Sequence, residues 1–434
     1  MKHLLDISDS VQYQRGHPLD CYSAWEKTSR EEGCLLLVDF DIEAYWIDGS
    51  PKVSLTAIYL ESASSSSISV TDKPLVSSDL APVDQYHQWS VDHNMVQYLQ
   101  GSLIGLLPLA IPKPWGREIW YTGVEARGVC CFFQGDLRTP IPWLQAAVPG
   151  SGLGSAAEAL VLLKILDPVA EPVVGDLYFE LHEEKQEVYV VTRIDKGSWP
   201  DGVGYIRMGF NRQKLDGLGG DRAAFRQSYL TAVTEYEAVR REIDALPPGE
   251  KVSPRQQREE SRLRAEMDSF SQLAPLAVGD VVKVPLLTPH SLQHGVRTVE
   301  FQTPVYERKI LSFAQRVLTQ NHWDTKEAVE LMVLDQTPKE DFVLLESAPG
   351  RRVERIVDFS DFDVCRVSLT GGASMNFAAI PSYALIMVIE GKLLLEGVEW
   401  SAEQALILPG RWSGKLTFAM PESSGVLLLA TPRY

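Results

Sequence analysis

The chain has 434 residues, with 45% hydrophobic and 23% charged residues, a composition typical of a soluble globular protein with room for two or three domains. A formal net charge of −17 argues against a nucleic-acid or anionic-membrane partner, although a local basic pocket for a phosphate ester is still allowed. Five cysteines without CxxC spacing, no signal peptide and no apolar run of membrane-span length favour a cytoplasmic location.

The first hundred residues predict short strands. The segments "CLLLVDFDIEAYWI" and "KVSLTAIYLESA" are rich in apolar, β-branched and aromatic residues, and the turn signal "DGSP" separates them. The following "ESASSSSISV" is rich in serine and is interpreted as a flexible surface loop. Residues 1–105 are therefore expected to form a β-containing extension, whose role the sequence does not indicate.

Short strand-like runs continue through most of the remaining chain. They include "ALVLLKILDP", "VYVVTRI" and "GYIRMGF", and glycine, proline and aspartate separate them. Many short strands with turn signals predict a mainly β protein built from cupin or jelly-roll β-barrels. We assign residues 106–215 and 275–345 to a metal-binding cupin barrel and residues 346–434 to a degenerate cupin-like β domain.

One segment, residues 216–274, has a helical pattern instead. Phe225, Tyr229 and Val233 recur at helical spacing, and "PPGEKVSP" then interrupts the pattern. Ser253 before Pro254 has the form of an N-cap followed by proline at the first helical position. We therefore expect a helical hairpin inserted into the β structure, with its charged residues on a solvated face.

The segment "DLYFELHEEKQEVYVV" is apolar at both ends and polar in the middle. Alternation along a strand places Glu180 and His182 on one face, and "EEKQ" can turn the chain so that a hairpin brings Glu187 next to them. Carboxylate oxygen and imidazole nitrogen are ligand types that suit Zn²⁺, Fe²⁺ or Mn²⁺. The alternative is an ordinary jelly roll with polar residues satisfied at its mouth.

About a hundred residues later, "GDVVKVPLLTPHSLQH" supplies a fourth candidate ligand, His290. This segment resembles the second cupin motif, G(x)5PxGxxH, and the first segment resembles G(x)5HxH(x)3–4E(x)6G. Leu287 stands where the second motif has its inner glycine. His294 is interpreted as a neighbour of the site or a surface residue rather than a ligand.

The same segments resemble the class I mannose-6-phosphate isomerases, which are zinc enzymes of the cupin superfamily. The likeness is carried by "PKPWG", "LVLLKILDP", "ELHEEKQEVYVV" and "TPHSLQHGVRTVEFQ". It implies a divalent metal, most simply Zn²⁺, with the ligands Glu180, His182, Glu187 and His290. A glutamate stands at position 180 in place of the family's glutamine, and the added negative charge should tighten metal binding and weaken the Lewis acid.

The resemblance also implies a function and three further site residues. The expected function is metal-dependent aldose–ketose isomerisation of a small-molecule sugar or sugar phosphate through an enediolate, with Lys185, Glu300 and Arg308 as catalytic residues. Alternatives remain for each residue, because Lys185 could be solvated in a turn, Glu300 could pair with Arg297 or Arg308, and Arg308 could belong to a basic surface patch.

Two other functions remain open from the sequence. One is a non-catalytic sugar-binding or regulatory cupin, and the other is an iron-dependent cupin oxygenase, because two histidines with carboxylates also suit Fe²⁺. The sequence does not indicate the oligomeric state.

Overall fold

The structure is a computed structural model. It describes residues 11–27, 33–61, 66–73, 83–150, 152–154, 159–247, 249–315, 322–335, 341–370, 372–418 and 424–433. The chain divides into two compact units: the first comprises Met1–Leu109, Trp120–Leu162 and Phe342–Tyr434, and the second comprises Ala110–Ile119 and Leu163–Asp341. The four-part division expected from the sequence stays a prediction.

Seven helices occur in the described ranges. They are α1 (Pro18–Glu26), α2 (Val83–Asp92), α3 (Ile141–Ala147), α4 (Arg212–Gly217), α5 (Arg222–Asp244), α6 (Pro254–Asp268) and α7 (Thr325–Leu331). None of these helices combines the length and the apolarity that a bilayer span requires, a finding that covers the described residues alone.

The described residues also form thirty-one strands, so the fold is mainly β, as predicted. The strands of the N-terminal half are β1 (Val11–Arg15), β2 (Leu35–Glu43), β3 (Lys52–Glu61), β4 (Ser66–Thr71), β5 (Tyr98–Leu99), β6 (Ile104–Leu107), β7 (Leu109–Lys113), β8 (Gly116–Trp120), β9 (Val124–Glu125), β10 (Gly128–Val129), β11 (Cys131–Gln134), β12 (Leu137–Pro140), β13 (Leu162–Pro168), β14 (Phe179–Leu181), β15 (Glu187–Ile194) and β16 (Gly204–Phe210). Those of the C-terminal half are β17 (Ser271–Leu276), β18 (Val281–Val284), β19 (His290–Leu292), β20 (Val296–Gln302), β21 (Lys309–Ser312), β22 (Val343–Ala348), β23 (Arg351–Asp358), β24 (Phe362–Leu369), β25 (Ser374–Phe377), β26 (Ala384–Glu390), β27 (Lys392–Leu395), β28 (Val398–Ser401), β29 (Ala405–Leu408), β30 (Gly414–Phe418) and β31 (Gly425–Pro432).

The first unit contains a five-stranded sheet in the order β1-β2-β3-β4-β5. The predictions of strands in "CLLLVDFDIEAYWI" and "KVSLTAIYLESA" are confirmed by β2 and β3, which pair antiparallel. The loop interpretation of "ESASSSSISV" is wrong for Ser66–Val70, which belong to β4; Ile68 and Val70 alternate with serines and are buried, so the segment has the period of a strand. Residues 62–65 lie outside the described ranges.

The first unit also contains a nine-stranded sheet, β12-β11-β6-β29-β26-β31-β24-β23-β22, and a four-stranded sheet, β25-β30-β27-β28. Buried apolar side chains of both sheets form one core, with Leu393, Trp400 and Leu416 from the smaller sheet and Ile386 and Leu427 from the larger. Two layers of sheet over one hydrophobic core are the arrangement expected of a β-sandwich.

The second unit carries the candidate site and also has two sheets. Their strand orders are β18-β15-β20-β13-β8-β7 and β17-β16-β19-β14-β21. Tyr189 and Val191 of the larger sheet share a core with Ile206 and Leu292 of the smaller sheet, and Trp115 is buried in the same core. The mainly β architecture is as predicted. In the described residues each sheet ends in two edge strands, so the two sheets pack face to face and do not form a closed, hydrogen-bonded barrel.

The predicted helical hairpin is confirmed by α5 and α6. Ser253 caps α6 in a reciprocal box with Gln256, and Pro254 is the first helical residue. The apolar stripe of α5, including Phe225 and Tyr229, packs with Phe179 and Leu181 of β14 in a second core. The insert therefore covers the face of β14 opposite to Glu180, because side chains alternate along a strand.

Candidate metal centre

The candidate ligands lie on two facing sheets rather than on a hairpin. β14, which carries Glu180, pairs with β19 and β21, whereas β15, which begins at Glu187, pairs with β18 and β20. The hairpin prediction is therefore wrong, because residues 182–186 cross from one sheet to the other. The crossing still brings the polar groups together, since Glu180 lies opposite His290 in the β14–β19 pair.

Four of the predicted residues converge in the interior of the second unit. Glu180, His182 and His290 each offer a ligand atom, and these three atoms lie within 4.8 Å of one another. Oε2 of Glu187 lies 3.1 Å from Nε2 of His290 and 3.5 Å from Nε2 of His182. Three of the four residues are buried, and Glu180 is nearly so. The structure thus places together the donor set that the sequence suggested.

Backbone carbonyls fix the orientation of both imidazoles. Nδ1 of His182 donates to the carbonyl of Glu307 at 3.0 Å, and Nδ1 of His290 donates to the carbonyl of Thr288 at 3.2 Å. This pattern leaves Nε2 of each ring as the lone-pair atom that faces the carboxylates, which is the arrangement found for metal-bound histidines. Among the described residues, Nε2 of His182 and Oε2 of Glu180 have no hydrogen-bond partner.

The charge states of these groups suit a cation. For Glu187, burial raises the pKa, but Lys185 and the nearby imidazoles outweigh it and hold the pKa well below its ordinary value. For Glu180, burial likewise raises the pKa, but Arg308 and His182 make the net shift downward. Burial lowers the pKa of His182. Ionised carboxylates and neutral imidazoles are the forms that bind metals, so the residues present fit a divalent ion.

Lys185 and Arg308 lie beside the donor set. Lys185 is buried, and its Nζ lies 2.6 Å from Oε1 of Glu187, so the alternative of a solvated turn does not hold. Nη1 of Arg308 lies 3.6 Å from Oε2 of Glu180, and its guanidinium lies 4.7 Å from the ring centre of Tyr178. Each cation is therefore paired with a different carboxylate of the donor set.

Glu300 lies on β20 and is almost completely buried. Its partner is neither Arg297 nor Arg308 but Lys164 on β13, whose Nζ lies 3.3 Å from Oε1 of Glu300. Within the described ranges, neither carboxylate oxygen of Glu300 accepts a hydrogen bond. Burial raises the pKa of Glu300 well above its ordinary value. A buried carboxyl of this kind is suited to exchanging protons.

A buried chain of charged side chains that contacts Glu300 was not predicted from the sequence. Nζ of Lys164 lies 3.8 Å from Oε1 of Glu118, which in turn lies 3.2 Å from Nζ of Lys113. Burial lowers the pKa of Lys164, but Glu118 and Glu300 outweigh it, and the net shift is upward. The available signal was a single lysine inside the apolar run "LVLLKILDP", since a lysine in a buried strand requires a carboxylate partner.

Two backbone positions near the site, Leu287 and Gly175, are sterically constrained. Leu287, which stands where the cupin motif has glycine, has φ of 59°, and its amide donates to the carbonyl of His182 at 2.8 Å. Leu287 therefore adopts a left-handed backbone conformation that leucine disfavours. Gly175, which directly precedes the segment "DLYFELHEEKQEVYVV", has no room for a Cβ atom, because the carbonyl of Val169 and the side chain of His294 occupy that position. His294 donates through Nδ1 to Asp176 at 2.7 Å and is not part of the donor set.

The fold matches a group of solved structures over most of the chain. A mannose 6-phosphate isomerase from Bacillus subtilis superimposes with a TM-score of 0.56 at 15% identity, covering 76% of this chain and 99% of that one. The fold of the present chain is therefore similar to that of the mannose-6-phosphate isomerases. A zinc-bound mannose 6-phosphate isomerase gives 0.54 at 13% identity, and a variant of phosphomannose isomerase from Salmonella typhimurium gives 0.54 at 12%; each alignment covers 77% of this chain and all of the other.

No protein-family model and no curated protein sequence matches the chain. At these identities the likeness establishes the fold, and the chemistry has to be argued from the site itself.

Proposed function

We propose that the protein is a metal-dependent aldose–ketose isomerase that acts on a sugar or a sugar phosphate. The proposal rests chiefly on one observation. Two imidazoles, oriented by backbone carbonyls, direct their lone-pair nitrogens at Glu187, and the buried carboxyl of Glu300 lies close enough to Glu187 for that charge to help raise its pKa. The fold shared with mannose-6-phosphate isomerases is consistent with the proposal.

Glu180, His182, Glu187 and His290 are the residues that would hold the metal. When bound, a divalent ion supplies Lewis acidity at the carbonyl and hydroxyl oxygens of a sugar. Zn²⁺ is the ion we propose, and Fe²⁺ and Mn²⁺ suit the same oxygen and nitrogen donors. Glutamate at position 180 adds a negative charge, which should favour tight binding of the ion.

Glu300 is proposed as the group that moves the proton between C1 and C2. Aldose–ketose isomerisation requires removal of a proton next to a carbonyl and its return to the neighbouring carbon, and one carboxylate can do both. Burial makes this carboxylate a stronger base than an exposed one, and Lys164 at 3.3 Å holds it in place.

Lys185 and Arg308 are proposed to stabilise negative charge on the substrate. Both cations lie next to the donor set, so each can approach a developing enediolate oxygen or a phosphate group. Lys185 is the better placed for the reacting carbons because it is buried, whereas the side chain of Arg308 is 24% exposed and suits the distant end of a substrate.

The test combines metal analysis with an isomerase assay. The purified chain is analysed for bound metals and then assayed with a panel of aldose and ketose sugars, each with and without a phosphate group. We expect about one divalent ion per chain and interconversion of at least one aldose with its ketose. Lys185→Gln should lower kcat by roughly 10²–10³-fold. Lys326→Gln, which removes an exposed lysine of α7, should leave kcat unchanged.

Two results would contradict this function. Stoichiometric metal without any interconversion across the panel would leave the site as a binding site only. Bound iron with oxygen uptake in the presence of a sugar would instead assign the site to an oxygenase. The expected cytoplasmic location stays a prediction.

A further inference from the structure

A second polar site lies on the opposite face of the larger sheet of the second unit. Lys164 and Glu300 face the interior, so strand alternation directs Asp167 and Arg297, which contact each other, to the other face. A cleft of about 420 Å³ opens there, lined by Gly116, Arg117, Asp167, Pro168, Val169, Ala170, Arg193, Asp195, Gly295 and Arg297. No group proposed to bind the metal or to move protons lines it.

Three arginines from three strands of this sheet converge on one carboxylate, that of Asp167. Nη1 of Arg297 lies 2.5 Å from Oδ1 of Asp167, and Nη2 of Arg193 lies 3.3 Å from the same oxygen. Nε and Nη2 of Arg117 each lie 2.8 Å from Oδ2 of Asp167. The arginines come from β15, β20 and β8, and Asp167 lies on β13 between the last two.

The positive charge of this cleft exceeds its negative charge. The other acidic residue in the lining, Asp195, accepts hydrogen bonds through Oδ1 from the amides of Gly197 and Ser198, so its carboxylate serves its own loop. Asp167 is left to balance three guanidinium groups. Such an excess stands out in a chain whose formal net charge is −17, because repulsion among like charges favours a second anion between them.

The two outer arginines are available to a ligand. Their side chains are 55% exposed for Arg117 and 67% exposed for Arg193, whereas that of Arg297 is 7% exposed. Arg297 with Asp167 thus forms the floor of the cleft, and Arg117 and Arg193 stand at its open side. A guanidinium presents parallel N–H donors that fit the oxygens of phosphate.

We propose that this cleft binds a doubly charged oxyanion, such as the phosphate group of a small metabolite, through Arg117 and Arg193. It is separate from the candidate metal centre, so occupancy of the cleft does not require turnover at the centre. Phosphate fits better than a single carboxylate because it carries enough charge and enough oxygen atoms to engage both outer arginines.

Isothermal titration of the full chain with inorganic phosphate, at constant ionic strength set with chloride, tests the proposal. We expect saturable binding that Arg117→Ala/Arg193→Ala weakens by at least about tenfold, since each arginine donates charge-assisted hydrogen bonds. Arg193→Ala alone should weaken it several-fold. This single variant removes a mostly exposed side chain, so it keeps the test valid if the double variant fails to fold.

Two controls separate this site from others. Arg262→Ala removes an arginine of intermediate exposure between Arg117 and Arg193, paired with Glu259 on α6, and should leave phosphate binding unchanged. Arg308→Ala removes the cation that we assign to the metal centre, where a substrate phosphate is also expected, and it should leave unchanged the binding component that depends on Arg117 and Arg193. The proposal is overturned if phosphate does not bind, if binding is unchanged in both cleft variants, or if only Arg308→Ala weakens it.

Discussion

Nε2 of His290 lies 3.1 Å from Oε2 of Glu187, although the ring already donates its Nδ1 proton to the carbonyl of Thr288. In that tautomer both facing atoms are acceptors, and two acceptors at this distance repel each other unless a cation lies between or beside them. The hydroxyl of Tyr189 donates to this oxygen of Glu187 at 2.8 Å, and Nζ of Lys185 lies 2.6 Å from the other oxygen of Glu187, so the carboxylate is already partly compensated. Nε2 of His182 lies 3.5 Å from the same Oε2 atom, so the proposed metal ion would contact both imidazoles and this carboxylate at once.

The first prediction concerns the histidine ligands. His182→Ala and His290→Ala should each reduce metal affinity by more than about 100-fold, because even the loss of a residue that only orients a ligand reduces affinity by about 10–100-fold. Elemental analysis after dialysis checks this. His294→Ala is the matched control, because His294 is also buried but pairs with Asp176, and it should keep the wild-type metal content. Full metal in His290→Ala would remove this histidine from the donor set.

The second prediction concerns Glu300. Glu300→Gln keeps the shape of the side chain but removes the base, so kcat should fall by roughly 10²–10⁴-fold while metal content is unchanged. Steady-state kinetics on the substrate identified in the panel assay, with elemental analysis of the same sample, measure both quantities. Glu260→Gln is the control, because it removes a carboxylate that is buried near Tyr236 in the helical insert. An equal decrease of kcat in Glu300→Gln and Glu260→Gln would indicate a general structural effect rather than the loss of a base.

The sequence predicted which polar side chains lie together better than it predicted the path of the chain between them. The alternation of Phe179 and Leu181 with Glu180 identifies the polar face of β14, because period-2 patterning is a local property. Whether residues 182–186 form a hairpin or cross between sheets depends on the partners of β14 and β15, which are over a hundred residues away for β19 and β20. Local turn signals in "EEKQ" contain no information about those partners.

The ion-pair partner of Glu300 was not predicted, because it also lies on a strand that is distant in sequence. Arg297 and Arg308 were the near cations in the chain, yet Lys164 on the neighbouring strand β13 makes the contact. Strand order in a sheet is set by tertiary packing, so the sequence distance to a partner carries little weight. In contrast, Ser253 as the N-cap and Pro254 as the first helical residue are adjacent in the chain and were predicted, whereas the reciprocal bond from Gln256 was not.

The third prediction uses that cap. Ser253→Ala removes the side-chain oxygen that accepts from the amide of Gln256, and it should lower the free energy of unfolding by about 1 kcal/mol. Ser253→Thr keeps a hydroxyl at the same place and should recover most of the loss. The midpoint of denaturant unfolding measures both variants. A destabilisation of the threonine variant as large as that of alanine would show that the hydroxyl does not act as a cap.

The fourth prediction concerns pH and the pair of Asp176 and His294. Burial raises the pKa of Asp176, but hydrogen bonds from the ring and the amide of His294 outweigh it and hold the pKa below the ordinary 3.8. A carboxyl with a lowered folded-state pKa stabilises the fold above the unfolded-state pKa, and this contribution is lost as pH falls through the folded-state value. Asp176→Asn should therefore reduce the free energy of unfolding by about 1–2 kcal/mol at neutral pH.

That difference between wild type and Asp176→Asn should shrink as the pH is lowered from about 5 to about 3, because the wild-type unfolded state then binds a proton that the folded state still excludes. Denaturant unfolding of the wild type and of Asp176→Asn across this pH range measures the difference in the free energy of unfolding. Asp216→Asn is the control, since this aspartate is exposed on α4 and its exposed ion pair with Arg212 contributes little at neutral pH. A difference for Asp176→Asn that stays constant down to pH 3 would mean that the carboxylate charge of Asp176 does not stabilise the folded state.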